Sequence, residues 1–466
     1  MPAHKSTKKG GATLYQKDNV VVQDDSIIDP KFTFKPHLRV DNSSERTTWR
    51  EWTSSSTKSR SISSNETAVW FNIESQSDRS LFDPNDSFVS IEFSISSGNG
   101  TDFTADDLIV CPNGYFWLRE FTHLLNSKPA YRLLGGADKA LTALSLVMDP
   151  KTTQSSNYFS VFPNANDLSA NSVDPTNAAY NPVLDAINSR GIEEGSVATR
   201  KFSYTIPLSV LTWLARPTSD LNSALPDLEH EFRFDLHSRS DFANNIMFAL
   251  TSGASVDSSS FSIDKMTIWA KYLEPAPSTI TYFTKNSFDE RMMWLAPDHI
   301  VLRNRSDTRL TGERISSYST MVNKVIVYAL DASQTQTDAE NKTTTDDTYI
   351  TNASVEFNGV RVYASETDST QDRYMRNYLV ASDYPVTSAA QAPLTYDDYR
   401  KSYKSLQVFD LSEISEKRLN MSNELYFSGD VKGGVNFDLH FVVIKHSYAD
   451  VVFKDGELLI ENTQGV

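Results

Sequence analysis

His230 and Glu231 stand side by side, as do the first zinc ligand and the general base of a His-Glu-x-x-His metalloprotease helix. Here the sequence continues Phe232-Arg233-Phe234, so the second histidine is missing. In an extended chain the two side chains also point to opposite faces, which argues against joint ligation. Glu229, Glu231 and Asp235 do share a face and could hold a hard cation. Arg233 lies among them, so a solvated, ion-paired strand surface is the simpler expectation. Cys111 and His123 are of the types that make a nucleophile and its base, but nothing marks the thiol as activated, and a core-lining cysteine beside a satisfied histidine is expected. Asp346/Asp347 and Asp397/Asp398 are the adjacent carboxylates a glycan hydrolase could use. Loop acidity accounts for both pairs. There is no phosphate-binding Gly-x-x-x-x-Gly-Lys loop and no Gly-x-Ser-x-Gly elbow. The expectation is a protein that is not an enzyme, with no catalytic, cofactor-binding or metal-binding residues.

The stretch that would position His230 is organised as strands. From Leu228 to Leu236 the side chains alternate: Leu228, His230, Phe232, Phe234 and Leu236 on one face, Glu229, Glu231, Arg233 and Asp235 on the other. Phe202, Tyr204, Ile206 and Leu208 alternate too, then give way to an apolar run, Val210 to Leu214, suited to one or two helical turns. This local pattern recurs. Ile206-Pro-Leu-Ser209 has a counterpart in Phe409-Asp-Leu-Ser412, and Phe234-Asp-Leu-His237 returns letter for letter as Phe437-Asp-Leu-His440, both at an offset of 203 (412 − 209, 437 − 234). Two matches in one register predict an internal duplication of a β domain.

Composition sets the outer bounds. A chain of 466 residues is too long for one core. Its 44 Lys and Arg against 60 Asp and Glu give a net charge of −16, which disfavours direct nucleic-acid binding. A single cysteine excludes an internal disulfide and multi-cysteine zinc sites. The N-terminus lacks the apolar stretch of a secretory signal, and no run is long enough for a spanning helix, so no membrane contact is implied. Aromatic alternating runs separated by Ser, Thr, Asn and Asp favour an all-β protein.

In chain order, residues 1–60 form an N-terminal arm, partly flexible, with a basic tip at Lys5, Lys8 and Lys9 and apolar anchors at Phe32, Phe34, Trp49 and Trp52. Val69, Phe71 and Ile73 alternate, as do Phe88 to Ile95, with Phe82-Asp-Pro-Asn-Asp86 as the turn between the two strands. The cluster after Cys111 suggests a short helix running into a strand and a turn at Asn126-Ser127. Ala137 to Met148 and Pro182 to Arg190 suit short helices within a long insertion, 132–200. Strands at 246–250 and 261–272 precede a stiff boundary at Pro275-Ala-Pro277. A second unit then runs through strands at 279–283, 299–302 and 324–328, an exposed loop 331–348, a hairpin around Asn358-Gly359, a loop 385–398, and a closing pair around Asp455-Gly456.

The ordered set Val69 to Ile73, Phe88 to Ile95, Pro112-Asn113 through Phe121 to Asn126-Ser-Lys128, Arg200 with Phe202 to Leu208, and Leu225-Pro226 before an amphipathic strand resembles the first roll of double jelly-roll major capsid proteins. Asn358-Gly359, Tyr374 to Tyr378 and Phe409-Asp-Leu-Ser412 extend the resemblance into a second roll. Within the adenovirus and tectivirus lineage it is nearest to the capsid proteins of Polinton-like elements, adintoviruses and virophages. The resemblance implies two tandem eight-stranded antiparallel jelly rolls with short helices in long inter-strand loops, residues 61–275 and 276–466. It implies a major capsid subunit of an icosahedral virion: a homotrimer forming a pseudo-hexagonal capsomer that meets neighbouring capsomers, penton and minor capsid proteins. Loops 132–200, 331–348 and 364–398 would then make the outward tower and the inter-chain contacts. A carbohydrate-binding or receptor-attachment β-sandwich is the alternative, and a two-roll hydrolase the third.

Overall fold

The computed structural model describes residues 14–17, 20–23, 44–53, 68–74, 80–104, 106–110, 114–148, 197–212, 228–277, 288–318, 321–332, 349–362, 369–380, 394–403, 405–412, 423–432, 436–454 and 457–464. Among the described residues, Leu14–Lys17 (β1) and Val20–Gln23 (β2) pair with each other. The first roll contains Ser44–Thr53 (β3), Ala68–Glu74 (β4), Leu81–Ser96 (β5), Leu108–Val110 (β6), Leu118–Leu125 (β7), Lys128–Leu133 (β8), Thr199–Pro207 (β9), Glu229–Leu236 (β10), Met247–Ala249 (β11) and Phe261–Pro275 (β12). Among the described residues between β8 and β9 lies a helix, Ala137–Met148 (α1), over the residues its apolar spacing predicts. The second roll contains Phe288–Arg305 (β13), Arg309–Tyr318 (β14), Val322–Asp331 (β15), Tyr349–Phe357 (β16), Val360–Val362 (β17), Gln407–Asp410 (β18), Asn423–Lys432 (β19), Phe437–Lys454 (β20) and Glu457–Gln464 (β21).

Each roll is a sandwich of two antiparallel sheets. In the first, the sheets run β3-β12-β5-β9 and β4-β10-β7-β8; in the second, β13-β20-β15-β18 and β14-β19-β16-β17. Setting aside the short β6–β11 pair and β21, each roll has eight strands, and both rolls have the order 1-8-3-6 over 2-7-4-5. That shared order is the jelly roll, twice. Strand β3 falls within the segment expected to be an arm, yet it pairs along β12 from Thr53 opposite Thr267 to Ser44 opposite Pro275.

The duplication is therefore real in topology, but only one of its two sequence markers is homotopic. Ile206 to Ser209 and Phe409 to Ser412 both end the sixth strand of their rolls. Phe234 lies near the end of the seventh strand of the first roll, whereas Phe437 opens the eighth strand of the second. The second match is thus an accident of two strands sharing a period-two pattern.

Two local expectations are corrected. Phe82 to Asp86 is not a turn between strands but lies inside β5, where Asp83 faces Lys271 and Phe88 faces Trp269, so extra residues bulge out of the ladder. The turn-forming side chains build that bulge: Asn85 N–H donates to Asp83 Oδ1 (3.1 Å), Ser87 Oγ to Asp83 O (2.6 Å), and Lys271 N–H to Ser87 Oγ (2.9 Å). Before β7, residues 114–117 form a turn rather than a helix, closed by Leu118 N–H to Tyr115 O and Trp117 Nε1–H to Gly114 O. The hairpins at Asn126-Ser127 and Asn358-Gly359 lie where turn chemistry puts them, all four residues at positive φ. The expected helix 182–190, the strand 279–283, and the turn Asp455-Gly456 lie outside the described residues.

Candidate assembly site at the inter-roll seam

Among the described residues, those singled out for chemistry do not converge. His230 faces the core of the first roll, 3% exposed, and lies diagonally across the ladder from His123, which stands opposite Phe232 and is fully buried. His123 Nε2 and His230 Nδ1 are 3.0 Å apart, and His123 Nδ1 reaches Thr212 Oγ1 at 3.1 Å. Burial holds the His230 imidazole down at about 3; burial, then the charge His230 would carry, hold His123 well below the ordinary histidine range. Both are neutral at physiological pH. Cys111 lies outside the described residues.

On the opposite face of β10 the acidic residues are already engaged. Arg233 pairs with Asp235 (Nε to Oδ2, 2.9 Å) and lies over the Trp70 ring at 4.7 Å. Ser127 Oγ–H donates to Glu231 Oε1 (3.0 Å), and Asn72 donates to Glu229. Among the described residues no group of three or more His, Cys, Asp or Glu is placed to hold a metal ion. Asp397 is exposed and pairs with Arg400 (2.9 Å), while Asp346 and Asp347 lie outside the described residues. No helix among the described residues is long and apolar enough to cross a membrane.

What the structure does build is a seam between the rolls. Edge strand β8 of the first roll meets β13, β20 and β21 of the second, and α1 packs on both β7 and β20. One apolar cluster runs through it: Tyr131, Leu141 and Leu144 from the first roll join Trp294, Tyr328 and Ile444 from the second. Polar contacts fix its register. Trp294 Nε1–H donates to Ala130 O (2.8 Å), Asn126 Nδ2–H to Leu458 O (3.0 Å), and Tyr378 OH to the Leu146 carbonyl at the end of α1. Strand β15 consequently has two apolar faces: Val325, Val327 and Ala329 line the second roll's own core, while Ile326, Tyr328 and Leu330 belong to the seam cluster. That double burial is why its sequence is a continuous apolar run instead of an alternating one.

A second histidine pair sits in this seam and had no motif to announce it. His299 on β13 and His440 on β20 approach at 3.1 Å (Nε2 to Nδ1), and His299 Nδ1 contacts the Gly135 carbonyl across the seam at 2.5 Å. Gly135 and Gly136 have φ of 64° and 80°, and a Cβ on Gly136 would come within 2.9 Å of His299 Cε1. Only glycine admits the ring here. His440 stacks on Tyr328, with centroids 4.9 Å apart and planes 7° apart. The one signal in the sequence is a pair of glycines before a helix and two histidines at positions otherwise occupied by apolar residues.

The outer faces carry exposed aromatic and apolar side chains. Trp49, 49% exposed, packs on Phe88 (5.6 Å between centroids), which stacks on Trp269 (6.3 Å), a ladder across β3, β12 and β5. Leu134, Met293 and Leu459 are similarly exposed near the seam strands.

No family model and no curated protein sequence matches the chain. Solved structures do. A chain from the cryo-EM structure of the Sputnik virophage aligns over 97% of this chain and 96% of its own, with TM-score 0.59 and 10% identity. A Faustovirus major capsid protein aligns over 87% and 90%, with TM-score 0.51 and 9% identity. A PBCV-1 protein fitted into a reconstruction of Sputnik aligns over 90% and 97%, with TM-score 0.50 and 10% identity. The chain is a double jelly roll, and over most of its length it shares that fold with the Faustovirus major capsid protein.

Proposed function

We propose that the chain is the major capsid subunit of an icosahedral virion, three copies forming a pseudo-hexagonal capsomer. The observation that carries this reading is the repetition of one strand order in two rolls joined by an apolar seam. Two like blocks held at a fixed angle, repeated by a threefold axis, give six near-equivalent units that tile a surface. The fold shared with a Faustovirus major capsid protein supports it. So do the engaged carboxylates of β10 and the neutral, enclosed His123–His230 pair, whose polar groups are taken up in pairing and packing. In this reading residues 1–60 are an assembly arm that lends β3 to the first roll, 61–275 and 276–466 are the two rolls, and the exposed Trp49 ladder, Leu134, Met293 and Leu459 are surfaces for a second copy or a neighbouring capsomer. Penton and minor capsid proteins complete the shell. The net charge of −16 leaves contact with the genome to other proteins.

The test is mass and shape in solution. Light scattering on the purified full chain should give three chain masses, and negative stain should show hexagonal particles. A stable monomer at high concentration, with no such particles, overturns the reading.

A further inference from the structure

The seam histidines have a fixed proton arrangement. A backbone carbonyl only accepts, so His299 Nδ1 carries the hydrogen that it gives to Gly135 O. Neutral His299 then has a bare Nε2, and the hydrogen between the rings belongs to His440 Nδ1. His440 Nε2 is left as a lone pair, and it is buried without a hydrogen-bond partner. The donors thus all point toward the first roll: His440 donates to His299, His299 donates to the Gly135 carbonyl, and the far end of the chain, His440 Nε2, is an empty acceptor. That atom is where an added proton goes, and the resulting N–H would have nothing to donate to.

The groups around the pair do little to welcome the charge. From α1, Asp138 attracts a proton to His299 but is itself paired with His237 at 3.4 Å, and Lys139 repels it. On β13, Asp298 attracts and Arg303 repels, with Asp298 also paired to Lys445 of β20 (3.7 Å). From β15, Tyr328 offers its ring face, and its hydroxyl is buried and unpartnered. Burial above all, then the charge of its partner, holds His440 well below the ordinary histidine range, and burial holds His299 below it too.

We propose that the His299–His440 pair is an acid-sensitive latch between the rolls: acidification opens the seam at α1, β8 and β15 while the two sandwiches stay folded. The roll-1 pair, His123–His230, is as reluctant to protonate but lies inside a closed sandwich, and exposing it means unfolding the roll. Exposing the seam pair needs only a sub-global opening, which buries less and comes first. Folded-state values are depressed, so the latch is fully closed above about 6.5, the value in an opened seam, and loosens as pH falls below it. Each histidine that takes up a proton on opening raises the opening constant by up to tenfold per pH unit well below 6.5, roughly thirtyfold in all between pH 7.5 and 5. The claim concerns contacts within one chain and does not depend on the capsid reading.

Hydrogen exchange on the full chain at pH 7.5 and 5, corrected for the intrinsic rate, tests it. Amides of α1, β8 and β15 should lose protection by tenfold or more at pH 5 while those of β5 and β12 keep theirs. His440→Asn retains a donor toward His299 and removes the titrating acceptor, so it should abolish most of the acid response; His299→Asn, which keeps a donor toward Gly135, serves if that variant folds poorly. Uniform loss of protection across both rolls, no loss at pH 5, or an acid response unchanged in either variant overturns the latch.

Discussion

The two rolls have one strand order and two kinds of interior. The first is aromatic: Phe234 meets Phe71 (5.9 Å), Phe121 (5.1 Å) and Trp117 (5.9 Å), and Phe93 meets Phe202 (5.0 Å) and Phe116 (5.3 Å). The second is mostly aliphatic, with Val325, Val327, Leu425, Leu439 and Val443 among five phenylalanines, of which Phe427 and Phe441 meet at 5.4 Å. Strand order follows from alternation and pairing, which either chemistry satisfies. Side-chain choice follows from coverage. The second roll's β13-β20-β15-β18 sheet packs on both sides, and slim branched side chains fill two thin layers better than rings fill one.

Breaking the aromatic core should cost most. Phe234→Ala should lose about 3–5 kcal/mol in urea unfolding, through lost transfer and a cavity that ring neighbours cannot close. A loss under about 1 kcal/mol would mean that the interior is looser than its ring geometry implies. Next comes acid. The His230 imidazole, at about 3 in the fold against 6.5 in the open chain, stabilises the first roll fully above about 6.5, progressively less below it, and not at all near pH 3. Equilibrium unfolding from pH 7 to 3 should show a loss on the order of 3–4 kcal/mol from this group, and His230→Gln should flatten that slope.

Two changes sharpen the role of the seam. Trp294→Phe leaves the Ala130 carbonyl without its donor and should cost about 1–3 kcal/mol, seen as faster exchange in β8 before any change in β16 or β19. Gly136→Ala puts a methyl against His299 at positive φ and should cost about 1–2 kcal/mol by thermal unfolding. The smallest effect belongs outside. Arg291→Ala removes an exposed pair with Asp450 (2.8 Å) and should leave the melting temperature unchanged; a clear drop would mean that the outer face of β13 is covered in the species measured.

Much of this was legible in the sequence. Alternation placed β4, β5, β9 and β10, apolar helical spacing placed α1 to the residue, and Asn358-Gly359 placed a hairpin, because each depends on interactions a few residues apart. The all-β class and the two-roll plan were also accessible, although one of the two repeat markers was fortuitous. Phe82 to Asp86 misled for a local reason: Asp-Pro-Asn-Asp satisfies its own backbone in a turn or a bulge alike, and only the partner strand β12 selects the bulge. The Arg233–Asp235 pair was legible because the two residues are two positions apart on one strand face, whereas the Ser127 and Asn72 donors to Glu231 and Glu229 come from distant strands.

The sequence by itself determined the periodicities, the turn chemistry and therefore the class of fold. Only the tertiary structure decided which strands are neighbours, that β15 is covered on both faces, and that His299 meets His440 beside Gly136. The physical reason is separation along the chain. Local patterns record which face of an element is apolar, whereas the seam joins residues more than 140 positions apart, whose meeting depends on the packing of the whole.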